Sequence, residues 1–221
     1  MPRGPLETKI RDMIMNLILE QKILPGERLT ETMLAEACNI SRTPIRSVVR
    51  EMIAEGLMEW DHPRGFLIPA LNSDDVRNVF SVRETLEGRA AYEAATMATE
   101  QQTERLFELL SEERKLEQNW SREGFTQSSR DFHLEVATAS GNSYLENYVN
   151  QCYWRSQIYI FFIDNFFGGA AKNDQITLPL LISSEDEHAR IVDRIVNKDP
   201  EGAREAMAEH IRATYNWLIA K

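Results

Sequence analysis

The sequence predicts a mainly α-helical protein with a small head, made of three helices and a two-stranded hairpin, followed by an all-helical bundle of about six helices. Two observations support this fold class. Residues 24–69 contain a short helix, a turn, a second helix and two β-prone runs around a proline and a glycine. From residue 73 onward, apolar residues recur at the spacing of three and four that is typical of amphipathic helices.

The first two helices of the 24–69 segment are joined by a tight turn. Leu34, Ala35 and Cys38 place small or apolar groups on one helical face. Asn39 and Ile40 then interrupt this period, which indicates that the helix ends there. The sequence therefore predicts a change of direction just before residue 41.

The next helix has one cationic face and one apolar face. It begins near Ser41, whose hydroxyl is suited to cap free backbone N–H groups, and it accommodates Pro44 in its first turn. Arg42, Arg46 and Arg50 recur at a spacing of four residues on the cationic face. The apolar face consists of Ile45, Val48, Val49 and Met52.

A predicted hairpin follows this helix and completes a pattern that favours DNA binding. Residues 57–60 and 66–69 are β-prone and flank a turn at residues 61–65, which carries Arg64. An arginine face is usually only a solvated surface. Here two arginines lie at the start of a helix, where arginine reads guanine in the major groove, and the basic hairpin tip can reach a phosphate or the minor groove. We therefore interpret this segment as a winged helix-turn-helix that binds double-stranded DNA.

Several short motifs occur together in this segment. They are PGERL, LAE, SRTPIR and EGL, followed by the glycine of the wing. With these motifs, residues 6–70 resemble the winged helix-turn-helix of GntR-type bacterial transcription regulators. The resemblance implies operator contacts from Thr32, Ser41, Arg42, Thr43, Arg46, Arg64 and Gly65. Thr32 is a departure, because relatives often have an arginine there, so one base or phosphate contact is expected to be absent.

The charge distribution is consistent with two domains, which we predict as a DNA-binding domain at residues 1–70 and a ligand-binding and dimerisation domain at residues 71–221. Basic and acidic residues number 9 and 10 in the first part and 16 and 25 in the second, so the net charge of -10 belongs mostly to the body. A near-neutral head with a local arginine cluster can bind DNA while the acidic body is held away from it.

The composition is that of a soluble cytoplasmic protein without a membrane partner. The longest apolar run, residues 158–167, is too short to span a bilayer and contains Asp164 and Asn165. The N-terminus lacks the apolar stretch of a secretory signal. Cys38 and Cys152 fall in different predicted domains, so we expect no disulfide, which fits a reducing cytoplasm.

The body is predicted to contain six helices, at residues 73–96, 103–119, 126–140, 143–166, 184–196 and 199–220. Ser184 with Glu187 forms a capping-box pattern, and Asp199 before Pro200 is typical of a helix start. Residues 168–183 are then a long loop, which either covers a pocket or simply connects two helices.

Three of the four histidines lie in the body, and each occupies the apolar face of a different predicted helix. They are His133, His188 and His210. A single inward histidine is usually a hydrogen-bonded core residue, whereas three that converge form a three-nitrogen metal site suited to zinc or nickel. Helical spacing alone leaves both interpretations open.

Further motifs in the body carry a second resemblance. They are Arg83-x-x-x-Glu87, Phe132-His133 followed by residues 139–142, and Glu187-His188 followed by His210. With these motifs, residues 73–220 resemble the FCD effector-binding domain of the FadR branch. The resemblance implies a metal site, because metal-binding members hold a divalent metal with the three histidines and with an aspartate one helical turn before the first histidine.

Ser129 stands at the position where that aspartate is expected. Asp131 does not replace it, since at two residues from His133 it faces nearly the opposite side of the helix. We therefore expect one divalent transition metal at a three-histidine site of reduced affinity, completed by water or by a ligand carboxylate. A metal-free pocket is the alternative.

Two arginines of the body lie on apolar stripes, where an unpaired guanidinium is costly. Arg83 has Glu87 one turn away as a possible partner, and Arg155 lies among aromatic residues. Alternatively, one or both arginines bind a small organic acid through two parallel hydrogen bonds. The FCD resemblance implies an effector of this class.

Together these features predict a ligand-responsive transcription regulator that senses a small organic acid. It is expected to bind a palindromic operator as a homodimer, because one recognition helix contacts too few base pairs to select a site. One alternative is a metal-dependent enzyme that uses the same histidines. It lacks an evident general base, because Asp131, Glu187 and Glu209 flank the histidines rather than share their faces. Another alternative is a structural DNA-binding protein with a vestigial pocket.

Overall fold

The structure is a computed structural model that describes residues 4–63, 65–116, 121–166 and 174–220, with the backbone alone at residues 122–123, 163–166 and 174–183. These residues form nine helices and three short strands, which confirms the mainly helical fold class. Two compact units divide the chain between Ser73 and Asp74. Each unit is described separately below.

The head contains three helices around an apolar core. They are α1 (Pro5–Leu19), α2 (Glu31–Cys38) and α3 (Arg42–Ala54). The predicted turn between α2 and α3 is confirmed, since Asn39 adopts a left-handed backbone conformation and the Ile40 N–H donates to the Ala35 carbonyl at 2.9 Å. Buried side chains from every part of this unit meet in its core, among them Ile14, Leu34, Ile45 and Phe66.

Ser41 occupies the predicted position before α3, but its hydroxyl accepts no hydrogen bond from the helix. The prediction of a side-chain cap is therefore wrong. A capping hydroxyl accepts from the second or third residue of the helix, and here the third residue is Pro44, which has no N–H. The equivalent cap does form at α2, where the Thr30 hydroxyl accepts from the Met33 N–H at 3.2 Å.

The wing is part of a three-stranded antiparallel sheet. Strands β2 (Glu59–Trp60) and β3 (Phe66–Leu67) form the predicted hairpin, and β1 (Arg28–Leu29) pairs with the other edge of β3. The sequence did not predict β1, because two residues are too few for a strand periodicity. Arg64 lies outside the described residues.

The body contains the six predicted helices. They are α4 (Ser73–Met97), α5 (Glu100–Leu116), α6 (Arg122–Ala139), α7 (Ser143–Phe166), α8 (Asp174–Val196) and α9 (Pro200–Ile219). Each helix buries apolar side chains, and one example from each in turn is Phe80, Leu106, Phe132, Val149, Ile191 and Met207. Asp199 caps α9 as predicted, since its carboxylate accepts from the Gly202 N–H at 3.0 Å.

Three predicted helix starts in the body are wrong, and that of α5 lies at Glu100 rather than at residue 103. Helix α8 begins at Asp174, so residues 174–183 are helical rather than part of a long loop, while residues 167–173 lie outside the described residues. Ser184 is therefore inside α8 and does not cap it. Its hydroxyl donates to Glu113 Oε1 on α5 at 3.2 Å. Ser184 is therefore polar because it bonds to another helix, not because it begins its own. Helix α6 also begins earlier than predicted, at Arg122, where the Ser121 hydroxyl accepts from the Gly124 N–H.

In the part of the chain that the structure describes, no helix has the length and apolarity needed to cross a membrane. Both cysteines are free thiols, with Cys38 buried in the head and Cys152 half-buried in the body.

Candidate DNA interface and metal centre

Helix α3 presents its polar side to solvent. Ser41, Arg42, Thr43 and Arg46 are exposed, whereas the residues of the predicted apolar face are almost fully buried. Thr32 is also exposed, on the neighbouring helix α2. These five predicted DNA contacts are therefore all available to a ligand from solution.

A carboxylate on α2 holds the two predicted base-reading arginines. Arg46 Nε and Nη2 donate to the two carboxylate oxygens of Glu31, each at 2.8 Å, and Arg42 Nη2 lies 3.6 Å from the same carboxylate. The hydrogen bond from Arg46 holds the pKa of Glu31 below its usual value. Glu31 was not predicted as part of the interface. It binds one edge of the Arg46 guanidinium and leaves the other edge open.

Gly65 of the wing has a steric role in addition to its predicted place in the interface. Its φ is +123°, and a Cβ at this position would lie 2.2 Å from the Leu29 carbonyl oxygen. The wing therefore approaches β1 too closely for any side chain at residue 65. The Asp61 N–H donates to the Gly65 carbonyl at 2.9 Å and closes the hairpin.

The three histidines of the body converge from α6, α8 and α9. One ring nitrogen of each lies within 4.8 Å of those of the other two, and His188 Nε2 lies 3.3 Å from His210 Nε2. His133, His188 and His210 are 2%, 0% and 5% exposed. Of the two interpretations left open by the sequence, three separate core histidines and one convergent cluster, the structure supports the cluster.

Each histidine of this cluster also lies against its own carboxylate. His133 Nδ1 is 2.6 Å from Glu87 Oε2, His188 Nδ1 is 2.8 Å from Glu113 Oε2, and His210 Nδ1 is 2.7 Å from Glu187 Oε2. The contact at His133 is less well aligned for a hydrogen bond than the other two. Carboxylates in this position fix the orientation of metal-ligating histidines and leave Nε2 free to bind the ion.

Burial keeps two histidines of the cluster, His133 and His210, uncharged. It lowers the pKa of His133 to about 3, and it also lowers the pKa of His210, where the nearby His188 adds to the effect. Burial alone would raise the pKa of Glu87, but the charge of the Arg83 guanidinium and the contacts with Arg83 and His133 outweigh it and hold that pKa at about 2. At neutral pH, His133 and His210 are therefore neutral, as metal ligands must be.

The sequence prediction missed the roles of these carboxylates. It compared each histidine only with acids on its own helix, and it wrongly treated Glu187 as a flanking residue, although Glu187 reaches His210 on α9. Glu113 carried a signal, because it continues the apolar stripe of α5 formed by Leu106 and Leu110. A carboxylate on such a stripe requires a polar partner from another helix.

Ser129 is buried on α6, one helical turn before His133. Its side chain hydrogen-bonds with the hydroxyl of Tyr153, which in turn donates to the Thr126 carbonyl at 3.1 Å. Asp131 is engaged elsewhere, since both of its carboxylate oxygens accept from the Gln127 amide at 2.8 Å. Ser129 thus occupies the position expected for an aspartate and presents a neutral hydroxyl there.

Both arginines predicted to bind an acid have a carboxylate partner within the body. Arg83 donates to Glu87 Oε1 at 2.6 Å and to Ser156 Oγ at 2.9 Å, and it is almost fully buried. Arg155 donates to Asp75 Oδ2 at 2.8 Å. For Arg83 the structure shows the local pairing with Glu87 that the sequence had offered as one of two interpretations.

The comparison with known proteins identifies the family of each part of the chain. Residues 78–213 match the family model of the FCD domain, and residues 6–68 match that of the bacterial regulatory proteins of the gntR family. The chain belongs to the GntR family. It is a DNA-binding transcription regulator with an FCD domain.

Named relatives of this GntR regulator have related sequences over nearly their whole length. The uncharacterized HTH-type transcriptional regulator YdhC of Bacillus subtilis (strain 168) is 26% identical over 213 residues, which cover 96% of this chain and 88% of the relative. The probable D-xylose utilization operon transcriptional repressor of Paenarthrobacter nicotinovorans is 26% identical over 220 residues, with the same coverage. These relatives are transcription regulators, which excludes the alternative of a metal-dependent enzyme.

A solved structure shows the same fold as this GntR regulator. The structure of E. coli McbR/YncC superimposes with a TM-score of 0.80 at 19% identity, and the match covers 99% of each chain. At this identity the likeness shows the fold alone.

Proposed function

We propose that this GntR-family protein binds a palindromic operator as a homodimer and changes its operator affinity when a small organic acid binds the FCD domain. The observation that carries the ligand half of this proposal is the histidine cluster, in which a carboxylate lies at Nδ1 of every ring. Such an arrangement has no evident purpose in a plain helical core, whereas it is typical of metal centres.

The DNA half of the proposal rests on α3. Arg42 and Arg46 are exposed at the start of this helix, where side chains reach base edges in the major groove. Ser41, Thr43 and Thr32 are exposed near them and suit contacts to phosphates. A two-fold pair of such heads reads two half-sites, which multiplies the specificity of one helix.

For the ligand half, we further propose that His133, His188 and His210 bind one divalent ion, zinc or nickel. Three imidazoles match the nitrogen ligands that these ions prefer, and Ser129 adds no charged ligand as the expected aspartate would. The bound ion would supply a positive charge and an open coordination position for an effector carboxylate. Glu87, outside the three ligands, orients His133 and neutralises Arg83.

The names of relatives support control of an operon by such a regulator. One is named for D-xylose utilization, and another, from Escherichia coli (strain K12), is the Uxu operon transcriptional regulator. We infer that this protein likewise controls an operon and acts in the cytoplasm, where operator DNA is accessible. Genes next to its own are the first place to look for the operator.

Elemental analysis of protein purified without chelator tests the metal site directly. We expect at most one transition metal per subunit in the native protein, and tighter binding in the Ser129→Asp variant, because a carboxylate one turn before His133 adds an anionic ligand. The Ser129→Ala variant is the control, since it changes the same residue without adding a ligand. Absence of metal from both the native and the Ser129→Asp protein, with zinc and nickel supplied at neutral pH, would show that the histidines only line a pocket.

A further inference from the structure

Trp60 in the wing is a large aromatic residue that the head leaves partly exposed. It is 45% exposed, whereas Phe66, which faces it on the neighbouring strand β3, is 1% exposed. Residues that face each other across two strands lie on the same side of the sheet, and β2 is an edge strand. Trp60 therefore extends the buried face of the sheet past its edge. Part of its ring borders the core of the head, and the rest faces solvent.

A second ring holds the indole of Trp60 in one orientation. The imidazole of His62 stacks on it, with 5.3 Å between the ring centres and 19° between the ring planes. Side chains alternate along an extended chain, so these two residues share a face while Asp61 lies on the other one. There Asp61 pairs with Arg28 at 2.5 Å. The backbone between the two rings is thus tied down from the opposite face, and the ring pair is pre-organised.

The exposed part of this ring pair offers two kinds of contact. One is the apolar face of the indole, and the other is its N–H, which has no hydrogen-bond partner among the described residues. A single exposed apolar residue is normal on a protein surface and needs no explanation. Here, however, two stacked rings lie in the hairpin that also carries Gly65, a predicted DNA contact. The backbone of duplex DNA presents deoxyribose rings next to phosphates, which match an aromatic face with a donor at its tip.

We propose that Trp60 contacts the sugar–phosphate backbone of duplex DNA, with its ring against a deoxyribose and its N–H donating to a phosphate, and that His62 is a positioning residue for this ring. Such a contact carries no charge, so it strengthens binding to every sequence without releasing a counter-ion. It differs in this respect from the predicted contacts of Arg42 and Arg46, which read bases. It is also independent of the histidine cluster and of any effector.

Tryptophan fluorescence of the full-length protein tests the contact in the native chain. Trp60 is the only tryptophan in residues 1–73, so the difference in emission between the wild type and Trp60→Phe isolates its signal. Acrylamide should quench this signal in the free protein, and a saturating amount of a short random-sequence duplex should at least halve the quenching. Trp217→Phe, at a half-buried tryptophan of α9, is the control and should keep the effect of DNA. A ring that the duplex does not protect overturns the proposal, and so does a ring that is already shielded in the free protein by a second copy.

The affinity for the same duplex, measured by fluorescence anisotropy over a series of salt concentrations, tests the energetic part. Trp60→Ala should bind several-fold more weakly at every salt concentration, with an unchanged salt slope, because no charge has been removed. Leu24→Ala is the matched control, since Leu24 is 44% exposed in the same unit but lies outside the wing. It should bind as the wild type does, and circular dichroism checks that both variants are folded. Unchanged affinity in Trp60→Ala, or equal losses in both variants, overturns the proposal.

A rescue experiment tests the positioning role of His62. His62→Ala removes the ring that stacks on Trp60 and should weaken binding to the duplex. His62→Phe keeps a stacking ring without the imidazole nitrogens, so it should restore the affinity and the protection of Trp60 from acrylamide. If His62→Phe binds as weakly as His62→Ala, the imidazole acts on DNA directly, and the positioning role is wrong.

Discussion

The head and the body of this protein both contain an arginine held by a glutamate, and the two pairs differ in their surroundings. Arg46 is 48% exposed and pairs with Glu31 across two helices of the head. Arg83 is 2% exposed and pairs with Glu87 one turn away on α4. The same kind of ion pair is thus exposed to water in the head and buried in the core of the body.

This difference determines what each pair can do. An exposed ion pair contributes about 0–1 kcal/mol, so a base edge or phosphate can compete for the arginine. Removing one partner of a buried pair leaves an uncompensated charge and costs about 3–5 kcal/mol. The pair in the head is therefore available for recognition, whereas the pair in the body is part of the structure that holds His133.

The largest expected effect is the loss of stability in Arg83→Gln. Without the guanidinium, the carboxylate of Glu87 remains buried beside His133, and we expect the body to lose about 3–5 kcal/mol of unfolding free energy. Guanidinium unfolding followed by circular dichroism measures this change. Arg89→Gln is the matched control, since Arg89 and Glu93 form the same i,i+4 pair on the exposed side of α4. Its loss should stay below about 1 kcal/mol, and equal losses in both variants would contradict the comparison.

Acid should destabilise the body through His133. Its pKa is about 3 when folded and 6.5 when unfolded, so below pH 6.5 the unfolded chain binds a proton that the folded protein excludes. The contribution of His133 to the free energy of unfolding is therefore fully present above pH 6.5 and is lost as the pH falls toward 3. The slope from this group is at most about 1.4 kcal/mol per pH unit. Glu87, whose pKa is lowered from 4.5 to about 2, adds a further loss below pH 4.5.

Urea unfolding of the chelator-treated protein between pH 7 and pH 5 checks this slope. His133→Gln removes one titrating ring and should reduce the dependence, leaving the part contributed by His210, whose pKa is also lowered. His62→Gln, at an exposed histidine of the wing, should leave it unchanged. An undiminished slope in His133→Gln would assign the effect to another group.

In the head, Arg42→Ala and Arg46→Ala should each weaken specific operator binding by about 1–3 kcal/mol if the arginine contacts guanine through two hydrogen bonds. The helices should remain intact, because both side chains are exposed. Fluorescence anisotropy with the operator and circular dichroism of each variant provide the two measurements. Normal operator affinity in both variants would exclude α3 as the recognition helix.

The sequence predicted most of the helices and the wing hairpin because each depends on a local period. Apolar spacing placed His133, His188 and His210 on inward faces, but it left open whether the three rings converge, because that depends on how the helices pack. The start of α8 was missed because the capping pattern at Ser184 looks the same whether its partner is the helix backbone or Glu113.

The partners of the site residues could not be predicted in the same way. Glu113 and Glu187 reach histidines on other helices, and Glu31 reaches an arginine 15 residues away in sequence. Such contacts depend on which helices pack together, and a single sequence carries no direct information on that.

The smallest expected effect concerns the exposed pair and is a change in specificity rather than in stability. Glu31 binds the Nε and Nη2 edge of Arg46, which leaves three of the five guanidinium N–H donors free. The free edge is suited to guanine, and the bound edge limits the motion of the side chain. In Glu31→Gln, affinity for random DNA should rise and its dependence on salt should steepen by about one counter-ion, because a negative charge has been removed.

Affinity of Glu31→Gln for the operator should rise less than its affinity for random DNA, so the ratio of the two should fall several-fold. Glu36→Gln provides the matched control, since it removes the same charge from an exposed position of α2 and should raise both affinities equally. If the ratio is unchanged in both variants, Glu31 acts only through its charge. Glu31 would then only compete with DNA for Arg46 and would not help to position the arginine.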